Sequence, residues 1–191
     1  MKRISKWLYL GSIVGGLVGG LVIFTAAAVL LALSGIYADF VLNLSYADVW
    51  MAVIIILLIL TGLAAILYGA SIWYLLLYKA WAAIQDENAS ITPPKAVGFI
   101  FIPLYNFYWI FKAWYGLSRD YNLYIARRGV TAPQMNEGMF LTSSILFICI
   151  QIPFLIYLAG LPFLVILAVT SDQTINGING LLNSPNEPAR G

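Results

Sequence analysis

The chain has 191 residues, 62% of them hydrophobic and 9% charged, with a net charge of +2. Soluble domains are about 25% charged, so this chain cannot cover a water-facing surface and must use lipid as part of its solvent. The near-neutral balance excludes the basic field of a nucleic-acid binder, and no histidine with one cysteine, Cys149, excludes histidine-based catalysis, histidine metal sites and internal disulfides.

The N-terminus is basic through Lys2, Arg3 and Lys6, and no charge then appears from Trp7 to Ile36. That run is about twice the ~7–15 apolar residues of a secretory signal, and it predicts a first transmembrane helix over about 7–36. A short loop follows, charged only at Asp39 and Asp48, with Asp48 placed to cap the next helix. The second uncharged run, Trp50 to Tyr78, exceeds the ~30 Å hydrocarbon core at 1.5 Å per residue. Good helix formers beyond it extend the prediction to 49–87.

Thr92-Pro93-Pro94 is a helix start, because proline is favoured where the first N–H groups lack partners anyway. The third apolar run, Ala96 to Leu117, gives a helix over about 93–128, stopped by Arg127-Arg128-Gly129. Thr131-Ala132-Pro133-Gln134 reads as a capping box opening a fourth helix over about 132–170, bent at Pro153 and Pro162. Residues 171–191 read as a polar tail with a short helix near Thr174–Leu182. The predicted fold is therefore all-α, a polytopic transmembrane bundle of four hydrophobic helices in one domain, 1–170.

Charge placement sets the orientation. Four spans put Lys2, Arg3, Lys6, Lys79, Lys95 and Arg190 on the cytoplasmic side and Arg119, Arg127 and Arg128 outside. The preference of Lys and Arg for the cytoplasm places the N-terminus inside, but the three outer arginines run against it. A rival arrangement folds Ala96–Leu117 into a re-entrant hairpin turning at Pro103–Asn106, which moves those arginines inside. Length favours spanning, because about 22 residues suffice to cross.

Two sets of residues stand out as contact sites. Gly11, Gly15 and Gly19 recur every fourth residue, with Ser12, Gly16 and Gly20 beside them, and the second helix carries Thr61, Ala65 and Gly69 at the same spacing. Small residues let helices approach closely, either within the chain or against a partner. The second set is Pro103, Asn106, Trp109, Lys112, Gln151 and Pro153, which read as lipid or solute contacts. Lys112 is a charge near the edge of an apolar segment and can snorkel. Pro153 removes a donor and leaves the carbonyl of Cys149 to find another partner. All eight carboxylates lie outside or at the edges of the apolar runs, and no nucleophile–base pair or phosphate loop appears.

The residues Trp81-Ala82-Ala83-Ile84-Gln85, Thr92-Pro93-Pro94-Lys95-Ala96-Val97-Gly98-Phe99-Ile100-Phe101-Ile102-Pro103 and Asn106-Phe107-Tyr108-Trp109 carry a resemblance. This stretch resembles small bacterial multi-span inner-membrane proteins of uncharacterised function with a Thr-Pro-x-x-Ala-Val-Gly-x-x-Phe-Ile-Pro-x-x-Asn signature. The resemblance covers about residues 81–124 and implies a bacterial inner-membrane location. It implies no activity, catalytic residue or cofactor. The expected function is a non-catalytic structural, scaffold or accessory subunit that contacts the bilayer and either other membrane subunits or itself. A small channel or transporter, and a lipid- or pigment-binding protein, are the other readings.

Overall fold

The computed structural model describes residues 3–33 and 46–184, with side chains from residue 49 onward in the second helix. The expected loop with Asp39 and the last residues of the tail lie outside the described residues, whereas Asp48 falls in the first turn of the second helix, which starts at Tyr46, and so is not its cap. The protein is all-α, with no strand among the described residues. Its helices are α1 (Lys6–Leu33), α2 (Tyr46–Ala83), α3 (Pro93–Gly98), α4 (Tyr105–Ile110), α5 (Gly116–Arg128), α6 (Glu137–Cys149) and α7 (Leu155–Asn183). Three segments are long and apolar enough to cross a membrane: Lys6–Leu33, Val49–Ala83 and Leu155–Asn183.

The chain divides into two compact units, one of Gly11–Ile72 and a larger one of Met1–Leu10 with Trp73–Gly191. The first holds most of α1 and α2. No proline interrupts either helix, so every interior N–H finds its carbonyl four residues back, as hydrocarbon requires. The hydroxyls are absorbed the same way. Thr25 donates to the Val22 carbonyl (3.0 Å), Thr61 to Leu57 (2.7 Å) and Ser71 to Leu67 (2.7 Å). Large apolar side chains such as Val22, Ile54, Ile56, Leu57 and Leu60 are exposed, a surface that suits lipid rather than water.

In the larger unit the helix expected over 93–128 is divided. α3 passes into a 3-10 turn at Phe99–Phe101, the chain reverses at 102–104, and α4, a π turn (Phe111–Tyr115) and α5 run on as one rod to Arg128. Pro103 causes the break. It has no N–H to continue a helix, and Leu104 adopts a left-handed φ of 63° to complete the turn. The stop at Gly129 is as expected, with φ 60° in the αL cap. The helix expected over 132–170 is also divided, because Pro153 ends it in turns at 150–154. It begins at Glu137, not near Thr131. Asn136 is the cap, its side chain accepting the Met139 N–H at 3.2 Å, and residues 130–136 form an extended connector. α2 ends at Ala83 rather than near residue 87, and α7 continues through the expected tail to Asn183.

The core of this unit is aromatic. Trp73 lies 5.1 Å from Trp114, which lies 5.0 Å from Phe140, and Phe147 lies between Trp73 and Phe163. Trp81, Trp114, Tyr121, Phe140, Ile175 and Ile178 are fully buried. Polar side chains tie this core to its connectors. Asn122 accepts the Met135 N–H (2.9 Å) and donates to its carbonyl (2.9 Å), while Asn179 does the same for Ile4 at 2.8 Å each way. Tyr121 donates to the carbonyls of Pro133 (3.0 Å) and Gly177 (3.2 Å).

Burial raises the Tyr121 hydroxyl well above the ordinary phenol range. Its stabilising effect is therefore complete below pH ~10, where the unfolded phenol ionises, and is lost as pH climbs toward the folded value. Tyr121→Phe is expected to cost about 1–2 kcal/mol at neutral pH, because two buried carbonyls lose a donor. It should also flatten the fall in stability above pH ~10. Thermal unfolding of the detergent-solubilised protein at several pH values checks both expectations.

Candidate functional site: helix-contact faces and paired turns

Within the Gly11–Ile72 unit, one of the two small-residue rows on α1 makes the contact with α2. A Cβ at Gly16 would lie 2.8 Å from the Gly69 Cα and 2.9 Å from the Ala65 carbonyl oxygen. A Cβ at Gly20 would lie 2.7 Å from the Gly62 carbonyl oxygen and 2.8 Å from the Ile66 nitrogen. The two backbones therefore touch; only glycine fits at Gly16, Gly20 and Gly69, and a Cβ at Gly62 would crowd Gly20 and Phe24 at 3.0 Å. The α2 side of this contact is Gly62, Ala65 and Gly69. Thr61 is exposed and bonds within its own helix. Ser12, in the same row as Gly16, shares a hydrogen bond with the Tyr68 hydroxyl at 3.2 Å.

Within this unit the other row is open. At Gly11, Gly15 and Gly19 no heavy atom of another helix among the described residues lies within 4 Å of where a Cβ would stand. Gly11 and Gly15 are exposed and Gly19 is half-buried.

The second set of residues gathers at the two turns of the larger unit. The Asn106 side-chain amide donates to Gln151 Oε1 at 3.2 Å, and the Gln151 amide donates to the Phe147 carbonyl at 3.2 Å. The turns that follow Pro103 and contain Pro153 are thus bonded to each other. The Cys149 carbonyl, deprived of its helical partner by Pro153, accepts the Ile152 N–H at 3.1 Å. Trp109 belongs to the core instead, its indole donating to the Lys95 and Ala96 carbonyls at 3.1 and 3.2 Å. Lys112 is exposed.

At the opposite end from these turns lies a polar cluster. Lys6 pairs with Asp172 at 2.7 Å, and Arg127 with the buried carboxylate of Asp86 at 3.2 Å. Lys79 donates to the Tyr9 hydroxyl and sits over its ring. Asp86, Glu87, Asn88, Arg127 and Arg128 line a surface cleft there. Sequence reasoning missed the residues that build this end: Trp81, Tyr121, Asn122, Gly177 and Asn179. Gly177 alone carried a signal, a glycine amid helix-forming residues. Its open side is filled by Tyr121 and Met135.

Fold and site together define an all-α protein whose long apolar helices suit a membrane. No protein-family model matches the chain, and no characterised protein or solved structure matches it either.

Proposed function

We propose that this chain is a non-catalytic integral protein of a bacterial inner membrane, N-terminus cytoplasmic, acting as a structural or accessory subunit that docks a further transmembrane helix. One observation carries the reading. The Gly16/Gly20 row is occupied by α2, while the equivalent Gly11/Gly15/Gly19 row has no neighbouring helix among the described residues of its unit. A second small-residue face along an apolar helix suits close approach by another helix, where dispersion and Cα–H···O contacts accumulate. The signature around Thr92–Asn106 supports the bacterial inner membrane, and the cations near the N-terminus support its cytoplasmic side. The Asn106 amide nitrogen and Gln151 Oε1 are bonded to each other, which supports a packing role for these turns over a solute path.

The double variant Gly15→Leu/Gly19→Leu tests the proposal. It fills the open row without touching α2, so the monomer should remain folded. Native mass spectrometry of the protein in mild detergent should then show loss of the larger assembly. An assembly of unchanged size would overturn the reading.

A further inference from the structure

We infer that the larger unit enters the membrane from one side as two re-entrant hairpins, whose tips at 102–104 and 150–154 end within the bilayer. This goes beyond the assembly proposal and does not depend on it.

Each hairpin has its open end bonded shut. In the first, Trp109 donates to the Lys95 carbonyl at 3.1 Å, and the Ser90 N–H donates to Asp120 Oδ2 at 3.0 Å. In the second, the Asn136 N–H at the start of α6 donates to Gln173 Oε1 of α7 at 2.8 Å. A helix pair whose outer ends are bonded together begins and ends on one face. The two open ends are also joined to each other through Asn122–Met135 and Tyr121–Pro133. The two tips are joined through Asn106–Gln151.

The descending limbs are too short to cross. α3 has 6 residues and the 3-10 turn 3, a descent of about 15 Å at 1.5 and 2.0 Å per residue. α6 has 13 residues, about 20 Å. The hydrocarbon core is ~30 Å thick. α7 is long enough to span, but Asp172, Gln173 and Asn179 hold its final third at the open end, through Lys6, Asn136 and Ile4.

The tips have the chemistry that hydrocarbon demands. Leu104 is 80% exposed, Phe154 87% and Tyr157 90%. Neither hairpin carries Asp, Glu, Lys or Arg between Ala96 and Phe111 or between Gly138 and Ser171. A turn in lipid must satisfy most of its backbone internally, and here the N–H groups of Leu104 and Phe154 alone among the turn residues lack an internal acceptor. The N–H groups of Ile102, Tyr105, Asn106 and Phe107 donate to nearby carbonyls, as do those of Ile150, Gln151, Ile152, Leu155 and Ile156. Pro103 and Pro153 have no N–H to satisfy. One-sided insertion also removes the charge conflict of the four-span arrangement, because Arg119, Arg127 and Arg128 then share a face with Lys6 and Lys79.

Single cysteines in the Cys149→Ser full-length protein, reacted in intact cells and in permeabilised cells with a membrane-impermeant maleimide, test the topology. Ser5→Cys marks the N-terminal face. Thr131→Cys and Asn183→Cys, both at exposed positions, should react under the same condition as Ser5→Cys and under no other. Tyr157→Cys and Phe154→Cys should resist the aqueous reagent under both conditions, despite their exposure in the fold. Reaction of Thr131→Cys from the face opposite Ser5→Cys would overturn the inference, and so would reaction of either tip cysteine from that opposite face.

Discussion

Gly20→Ala is expected to destabilise the α1–α2 contact by about 1–3 kcal/mol, and Gly20→Leu by more. The reason is steric and local. The new Cβ would stand 2.7 Å from the Gly62 carbonyl oxygen and 2.8 Å from the Ile66 nitrogen, both backbone atoms that cannot swing aside as a side-chain tip can. Overpacking of this kind costs about 1–3 kcal/mol where the surroundings resist. Intrinsic preference pushes the other way, since alanine is favoured over glycine inside a helix by about 1 kcal/mol. The matched control is Gly15→Ala in the dissociated monomer, where it gains the same helix preference and meets no other helix within 4 Å among the described residues. The two single-methyl changes should shift stability in opposite directions. Heating each variant in mild detergent and following loss of the monodisperse elution peak measures this. Equal midpoints for the two would mean that the helices do not touch at Gly20.

The contrast between those rows shows what the sequence could and could not reveal. Both α1 rows have the same four-residue spacing and both lie in an apolar helix. Spacing therefore announces close packing but cannot say which row packs, because that depends on how α1 is rotated about its axis. On α2 the contact falls on Gly62, a neighbour of the highlighted Thr61. The long apolar runs of α1 and α2 were legible because lipid imposes one rule on every residue. The glycine stop at Gly129 and the start at Pro93 were legible because backbone chemistry is local.

The breaks were half legible. Pro103 and Pro153 signalled kinks, but the extent of each reversal depends on partners far along the chain, such as Asn106 for Gln151. The C-terminal part of α7 reads from sequence as a short helix near Thr174–Leu182 in a polar tail, because Thr174, Asn176 and Asn179 look water-facing; the helix is there, but continuous with the apolar run before it. Thr174 is instead fully buried, and Asn179 reaches Ile4, 175 residues away. No local pattern encodes such a pairing. The capping residue of α6 was misplaced for a related reason. Thr131-Ala132-Pro133-Gln134 has the composition of a capping box, yet Asn122 and Tyr121 draw that stretch out as a connector through Met135 and Pro133. Tertiary hydrogen bonds outweighed a local signal worth about 1 kcal/mol.

Trp81→Ala should be the most damaging single change in the larger unit, at about 3–5 kcal/mol or more. Trp81 is fully buried, and truncating a buried tryptophan leaves a cavity that the helices around it fill only in part. Its indole also has a specific task. It donates to the Ala113 carbonyl at 2.8 Å, and Ala113 lies in the π turn at Phe111–Tyr115. A π turn shifts the helical hydrogen-bond register by one residue, and the carbonyl there gains an outside donor in Trp81. Trp81→Phe separates the two contributions, because it keeps most of the volume and removes the N–H. It should cost about 1–3 kcal/mol, the penalty for a buried carbonyl losing its donor. If the indole bond stabilises the π turn, hydrogen exchange at the first turn of α5 should quicken in Trp81→Phe while α1 exchanges as before. A Trp81→Phe protein as stable as the parent would assign the whole effect of Trp81 to its volume, and the π turn would then owe nothing to α2.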